Sequence, residues 1–237
     1  MKIRGLGNIQ SMSKFEHIGA NLNYSDLTSE TLDIGRYYTT PDGTKYPSVT
    51  TVLSILSEDA IQKWRNRIGE DEANKISTQA SSRGTIVHSV IEKYINNEEN
   101  YLEGTMPHIK DNFLSVKDIL DTHIGKVYAQ EIPLYSDHLR LAGRVDCVAE
   151  WDGKISIIDF KTSRKLKSKE NIENYFIQES AYAIMWEERT GVPITQLVTL
   201  IAGDEGAQVF IEHRDNHTEK LIKTIREYER RRFFGSI

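Results

Sequence analysis

The sequence predicts a mixed α/β (α+β) chain: a central mixed sheet flanked by helices, preceded by a helical amino-terminal elaboration. Three observations predict it. Apolar residues recur at helical spacing between about residues 57 and 123. Three strand-like runs follow, Val127 to Tyr135, Leu139 to Trp151 and Lys154 to Thr162. A helix, two further strands and a last helix then complete the chain. With 237 residues, 38% hydrophobic and 27% charged, the chain can bury one good core.

Each element has a local reason. Residues 1–35 are polar and weakly patterned, so they are expected to be irregular with short elements. Arg36-Tyr37-Tyr38-Thr39-Thr40 and Thr44-Lys45-Tyr46 flank Pro41-Asp42-Gly43, a hairpin signal. Ser48, Thr50 and Thr51 are expected to cap a following helix in preference to touching phosphate. Ser57 is a plausible N-cap for a helix carrying Ile61, Trp64 and Ile68. A second helix is expected over about 70–79. A third begins after Ser82-Arg83-Gly84, with Ile86, Val87, Val90, Ile91, Tyr94 and Ile95 on its apolar side. Residues 96–110 read as a polar loop and 111–123 as a helix. Asn174 to Thr190 is a helix stopped by Gly191 and Pro193. Strands over about 195–202 and 207–213 are joined by Gly203-Asp204-Glu205-Gly206, and a helix runs from about Thr218 to Phe234. There is no internal repeat, low-complexity tract or long linker.

Composition excludes several function classes. No apolar run approaches the roughly 18–20 residues of a membrane-spanning helix. The single cysteine, Cys147, rules out an internal disulfide, a cysteine-built structural zinc site and a four-cysteine iron–sulfur cluster. Thirty Lys+Arg against 35 Asp+Glu give a formal charge of −5, which argues against indiscriminate coating of nucleic acid but leaves a local basic groove open. No apolar segment follows Lys2 and Arg4, so no secretory signal is expected. Lys2, Arg4 and Lys14 without an acid faintly echo a mitochondrial transit peptide, but a loose terminus is the preferred reading. An intracellular, reducing compartment is expected, the cytoplasm of a bacterial or phage-infected cell ahead of a mitochondrial matrix.

The chemistry concentrates on one hairpin. Asp152-Gly153 is a strong two-residue turn signal that fixes register by facing Trp151 with Lys154. Asp146 then falls opposite Asp159, and Lys161 shares their face opposite Arg144. Val145, Cys147, Ala149 and Trp151 fall on the reverse face with Ser156, Ile158 and Phe160. Directly opposed carboxylates, about 4.5–5.5 Å apart at Cβ, repel unless a cation lies between them. Hard divalent ions such as Mg²⁺ or Mn²⁺ take such oxygen ligands, and a nearby lysine can orient or help deprotonate water, or stabilise phosphate charge. The competing reading is a solvated strand face on which Lys161 neutralises Asp159. Leu141, Val148, Ile155 and Ile157 around the acids favour the metal.

Gly143-Arg144-Val145-Asp146 and Ile158-Asp159-Phe160-Lys161-Thr162 resemble the GxxD…(D/E)xK signature of the PD-(D/E)XK nuclease superfamily. Gln178-Glu179-Ser180-Ala181-Tyr182 matches the Q-x-x-x-Y element of its RecB-type branch, and Gly84 with His88 matches a helix that opens with Gly and then His. Tyr46-Pro47-Ser48-Val49-Thr50-Thr51-Val52-Leu53 and Lys63-Trp64 extend the likeness to the mitochondrial genome maintenance exonuclease family and its phage relatives. The resemblance implies a restriction-endonuclease-like sheet in a single nuclease domain over 1–237. In that domain 1–35 is a loose segment, 36–123 the hairpin and helical elaboration, and 124–237 the catalytic core. It further implies that Asp146, Asp159, the Phe160 carbonyl and His88 bind Mg²⁺ or Mn²⁺, that Lys161 is catalytic, and that Gln178 and Tyr182 fix the site and the substrate phosphate. Cleavage that prefers single strands and requires a DNA end is implied with them.

Glu92 shares a helix face with His88, and Glu131 reaches the acidic face only if the loop after it has an even length. Both are weaker candidates. Arg144, Thr162, Arg164, Lys165 and Lys167 are candidate DNA contacts, with Lys169 continuing that run. The basic residues of the last helix, Lys220, Lys223, Arg226, Arg230, Arg231 and Arg232, read as a solvated face or a second track. Tyr37, Tyr38, Trp64 and Tyr175 are core aromatics or stacking platforms for unpaired bases. The expected function is a metal-dependent DNA exonuclease acting on single strands, with DNA as partner and no membrane. An endonuclease of the same superfamily and a non-catalytic recombination or replication accessory protein are the alternatives.

Overall fold

The computed structural model describes residues 14–235. The basic amino-terminal stretch read as a targeting echo lies almost wholly outside them.

A three-stranded meander comes first, formed by β1 (Thr28–Leu32), β2 (Gly35–Thr39) and β3 (Lys45–Pro47). The β2–β3 hairpin closes as expected, with Tyr38 facing Tyr46. β1 was not expected; it is fully exposed and owes its form to pairing with β2 rather than to any alternation of its own. The Ser48 hydroxyl accepts from Thr51 N–H at 3.0 Å and so caps the short helix α1 (Val49–Leu53).

Helix α2 (Glu58–Ile68) begins after Ser57 as expected, but the Ser57 hydroxyl bonds the Ser54 carbonyl instead of capping it. Its apolar spacing is not a core face: no α2 residue is buried, and Ile61 is exposed. The two helices expected on either side of Ser82-Arg83-Gly84 are one, α3 (Glu70–Ile95). A helical glycine costs only about 1 kcal/mol against alanine, and the burial of Val87, Val90, Ile91, Tyr94 and Ile95 anchors the helix through it. Ile86 is exposed and does not belong to that stripe. Helix α4 (Pro107–His123) starts earlier than its periodicity suggested, with Pro107 pre-set for a first turn.

The main sheet has the order β4 (Ile124–Ser136), β5 (Leu141–Trp151), β6 (Lys154–Ser163), β7 (Gln196–Gly203), β8 (Gln208–His213). It is mixed: β6 and β7 are parallel, joined through α5 (Glu173–Thr190), and the other neighbours are antiparallel. Helix α5 ends at Gly191, whose φ of 73° supplies the left-handed C-cap. One sheet face packs on α1, α5 and α6 (Asp215–Phe233) through Val148, Ile157, Ile177, Ala181, Trp186 and Leu221. The other packs on α3 and α4 through Cys147, Ala149, Trp151, Ile158, Val87 and Phe113. Val145 joins the first of these cores, not the Cys147 face expected of it. The alternation is reset beside it, at Glu131 on the neighbouring strand, where φ is 47°.

No helix among the described residues is long and apolar enough to cross a membrane.

Candidate active site

The Asp152-Gly153 turn sets the expected register, pairing Trp151 with Lys154 and Cys147 with Ile158. Backbone pairing of β5 with β6 then stops, one step short of Asp146 and Asp159. Asp146 breaks it: its Oδ2 accepts the Phe160 N–H at 2.8 Å, standing in for a backbone carbonyl. β6 continues alone against β7 as far as Ser163 and Gly203. Arg144 and Lys161 are therefore not cross-strand partners, although the turn alone would make them so. The parted strands form a notch at the edge of the paired region, with acids on both lips.

On one lip, His88, Glu131 and Asp146 bring one donor atom each within 4.8 Å of one another. His88 Nδ1 lies 3.6 Å from Asp146 Oδ2, and the imidazole meets the Phe160 ring edge-on. Glu131 arrives because four residues separate Ser136 from its partner Leu141, the even loop that places it across from Asp146. Burial and the neighbouring charges of Asp146 and Glu92 push its carboxyl up to about 7. An imidazole and two carboxylates fit a Mg²⁺ or Mn²⁺ ion, whose ligands about 2.1 Å from a common centre stand up to about 4.2 Å apart. Glu92 lines the same cleft, which has a volume of about 580 Å³ and is bounded by Gly84 and Ser89 of α3 and by Ser29, Arg36 and Tyr38 of the meander.

On the other lip, Asp159 is 2% exposed. It stands beside the donor cluster rather than within it. Gln178 donates to its Oδ1 at 3.0 Å, and Lys161 forms an ion pair with Oδ2. The Lys161 ammonium is thus the close partner of that buried Oδ2. Burial, opposed by Lys161, raises the Asp159 carboxyl to about 6. Burial disfavours the Lys161 charge, but Asp159 and Asp146 outweigh it and hold the ammonium protonated above its ordinary range. Tyr175 supports it, with Nζ 5.1 Å from the ring centroid. Phe160 gives its N–H to Asp146.

Gln178 and Tyr182 project one helical turn apart from α5, as their spacing required. Tyr182 is buried, and its phenol fills the space above Gly143, where a Cβ would fall 2.9 Å from the hydroxyl. This close approach is why that position of the GxxD element is glycine.

Sequence reasoning missed Glu179. It is fully buried under the site, accepts from the Thr199 hydroxyl, and has its carboxyl pushed well above the usual range by burial and by Asp159. An acid in the apolar stretch between Phe176 and Trp186 was the available signal. Three carboxyls thus share one direction of shift. The metal-free protein is expected to be most stable below about pH 4.5 as far as Glu131 is concerned, and to lose that contribution as pH rises through about 7, because the folded state holds the proton more tightly. Carboxylates with lowered pKa, such as Asp204 and Glu212, titrate below this window and do not oppose the trend. Melting temperatures in chelator between pH 5 and 8 should fall, and Mg²⁺ or Mn²⁺ should restore them at pH 8. A rise with pH in chelator would contradict this.

The proposed DNA contacts divide. Arg164, Lys165 and Lys167 are exposed on the segment after β6, which Lys167 N–H pins to Gln208 at 2.7 Å. Arg164 reaches Gln79 of α3 at 3.4 Å. Thr162 is half-buried against Gly84. Arg144 is engaged by Asp26 at 2.8 Å and by the Glu131 carbonyl. Lys169 pairs with Glu212. The basic residues of α6 are largely a solvated face: Lys220 pairs with Glu173, Lys223 with Glu219, and Arg230 and Arg231 with Glu227. Tyr37 and Tyr38 are buried, and Trp64 and Tyr175 half-buried.

The chain is similar to known proteins over part of its length. Mitochondrial genome maintenance exonuclease 1 of Mus musculus is 33% identical over 130 residues, covering 51% of this chain and 38% of its own length. The Homo sapiens protein of that name is 32% identical over 130 residues, with the same coverage. The Xenopus tropicalis protein is 30% identical over 133 residues, covering 51% and 37%. The chain thus spans under two fifths of the length of these relatives. The crystal structure of SSO0001 aligns over 61% of this chain and 72% of its own at 13% identity, with a TM-score of 0.33. The sequence profile of the PD-(D/E)XK nuclease superfamily matches residues 114–233, which include Glu131, Asp146, Asp159, Lys161, Gln178 and Tyr182. A mixed sheet whose parted strands carry this acid pair and lysine, matched by that profile over half its length, belongs to a member of the PD-(D/E)XK nuclease superfamily.

Proposed function

We propose that the protein is a metal-dependent DNA exonuclease acting on single strands from a free end. The observation that carries the reading is the donor cluster of His88, Glu131 and Asp146 beside the buried Asp159–Lys161 pair. A bound Mg²⁺ or Mn²⁺ would supply Lewis-acid polarisation of the phosphodiester and of the attacking water.

The chain's own residues do the rest. His88, Glu131 and Asp146 would hold the cation, with Asp159 beside them. Lys161, held protonated by its acidic neighbours, acts as a charge that binds and stabilises the phosphate oxygens, rather than as a base for water. Gln178 keeps Asp159 oriented from the other oxygen. Arg164, Lys165 and Lys167, exposed at the end of β6, take the flanking phosphates. The similar vertebrate proteins are named as exonucleases, which supports the exonuclease reading over the endonuclease.

The test is incubation of linear and circular single-stranded DNA of one sequence with Mg²⁺ and with chelator. Metal-dependent loss of the linear form alone is expected. Cutting of the circle would establish an endonuclease. Binding without cleavage in Mg²⁺ or Mn²⁺ would establish the accessory-protein alternative.

A further inference from the structure

We propose that Arg144 is a positioning residue for the metal ligand Glu131 and not a phosphate contact, an inference that rests on the metal-dependent reading above. Four non-glycine residues among those described have positive φ: Asn97, Glu131, Arg140 and Asp152. Asn97 follows the end of α3, and Arg140 and Asp152 lie in the turns after β4 and β5. Glu131 alone, with φ 47°, sits inside a strand. L-residues adopt that conformation only where their surroundings impose it.

The consequence is a change of side-chain phase. Ala129 and Leu134 pack on the core beneath α5, and Ile132 packs there too. Regular alternation from Ala129 would drive the Glu131 carboxylate into that apolar core and turn Ile132 out of it. The left-handed residue exchanges the two, so the half-buried Ile132 packs on the core and Glu131 joins His88 and Asp146 in the cleft.

Arg144 is placed to hold this kink. It lies across from Pro133, which has no N–H to give the ladder. The Arg144 guanidinium adds its own tie across the two strands: Nη1 donates to the Glu131 carbonyl while Nη2 donates to Asp26 at 2.8 Å. The Tyr24 hydroxyl, from the segment that carries Asp26, donates to the Pro133 carbonyl at 3.0 Å. The planar fork is thus engaged on both nitrogens by its own chain. Removal of partners that orient a metal ligand typically costs 10–100-fold in metal affinity.

The experiment measures Mn²⁺ binding to the full chain by calorimetry, and single-stranded oligonucleotide binding in chelator by fluorescence anisotropy. Arg144→Ala is expected to weaken Mn²⁺ binding by about tenfold or more, while DNA affinity in chelator stays within about twofold of wild type. Arg144→Lys, which can reach the carbonyl but not hold both partners, should fall between. In a Glu131→Gln background Arg144→Ala should cost less than about twofold further, because the two act through one ligand. Should Arg144→Ala not fold, the same cycle with Arg144→Lys decides. Weakened DNA binding with unchanged Mn²⁺ affinity would overturn the proposal in favour of a phosphate contact. An equal Mn²⁺ loss in both backgrounds would overturn it as well. Absence of Mn²⁺ binding by the wild type would instead overturn the metal reading on which it stands.

Discussion

Replacing Lys161 with alanine is expected to lower turnover by about 10²–10³-fold, the usual cost of one preorganised charge at a reacting centre, while DNA affinity changes by no more than about threefold. The side chain is paired directly with Asp159 and held protonated by Asp159 and Asp146, at the acids themselves. The flanking contacts from Arg164, Lys165 and Lys167 remain, which is why binding survives. The same substitution leaves the buried Asp159 without its counter-charge, and its carboxyl should rise further above about 6. The variant should therefore melt lower than wild type at pH 8, with the gap narrowing toward pH 5 as Asp159 takes a proton. Single-turnover cleavage and melting at both pH values check this. Cleavage within tenfold of wild type would remove Lys161 from the mechanism.

Asp146 offers the second large effect, because its carboxylate does two jobs that different variants separate. As a member of the donor cluster it would help hold the cation; as an acceptor it holds the Phe160 N–H at 2.8 Å where backbone pairing has ended. Asp146→Asn keeps an acceptor for that N–H and loses the charge. It should fold with near wild-type stability, lose most Mn²⁺ affinity and fall about 10³-fold in turnover. Asp146→Ala should lose the same activity and, in addition, about 1–3 kcal/mol of stability from the unpaired N–H. Calorimetry, denaturant unfolding and cleavage assays on the pair distinguish the roles. Equal stability of the two variants would show that the parting of β5 and β6 does not depend on the side chain.

What was legible in the sequence is what short-range chemistry decides. The Asp152-Gly153 turn carries its own preference for positive φ, realised at 53° and 76°, and it fixes which residues of β5 and β6 face each other without reference to the rest of the molecule. The spacing of Gln178 and Tyr182 follows from helical geometry alone. Asp146, Asp159 and Lys161 were therefore placed on one rigid unit from the turn and the alternation.

The tertiary structure decided everything that depends on how separate elements approach one another. His88 reaches Asp146 because α3 continues through Gly84, and burial further along the helix, not local propensity, sets that continuity. Glu131 joins the cluster through a four-residue loop and a left-handed residue inside a strand, neither of which has a sequence signal at Glu131 itself. The expected pairing of Arg144 with Lys161 gave way to a carboxylate taking a backbone N–H, and Arg144 went instead to Asp26, 118 positions away in the chain. Turns and periods are local and nearly independent of context, whereas a metal-facing cluster is assembled by packing across loops whose closure no local pattern encodes.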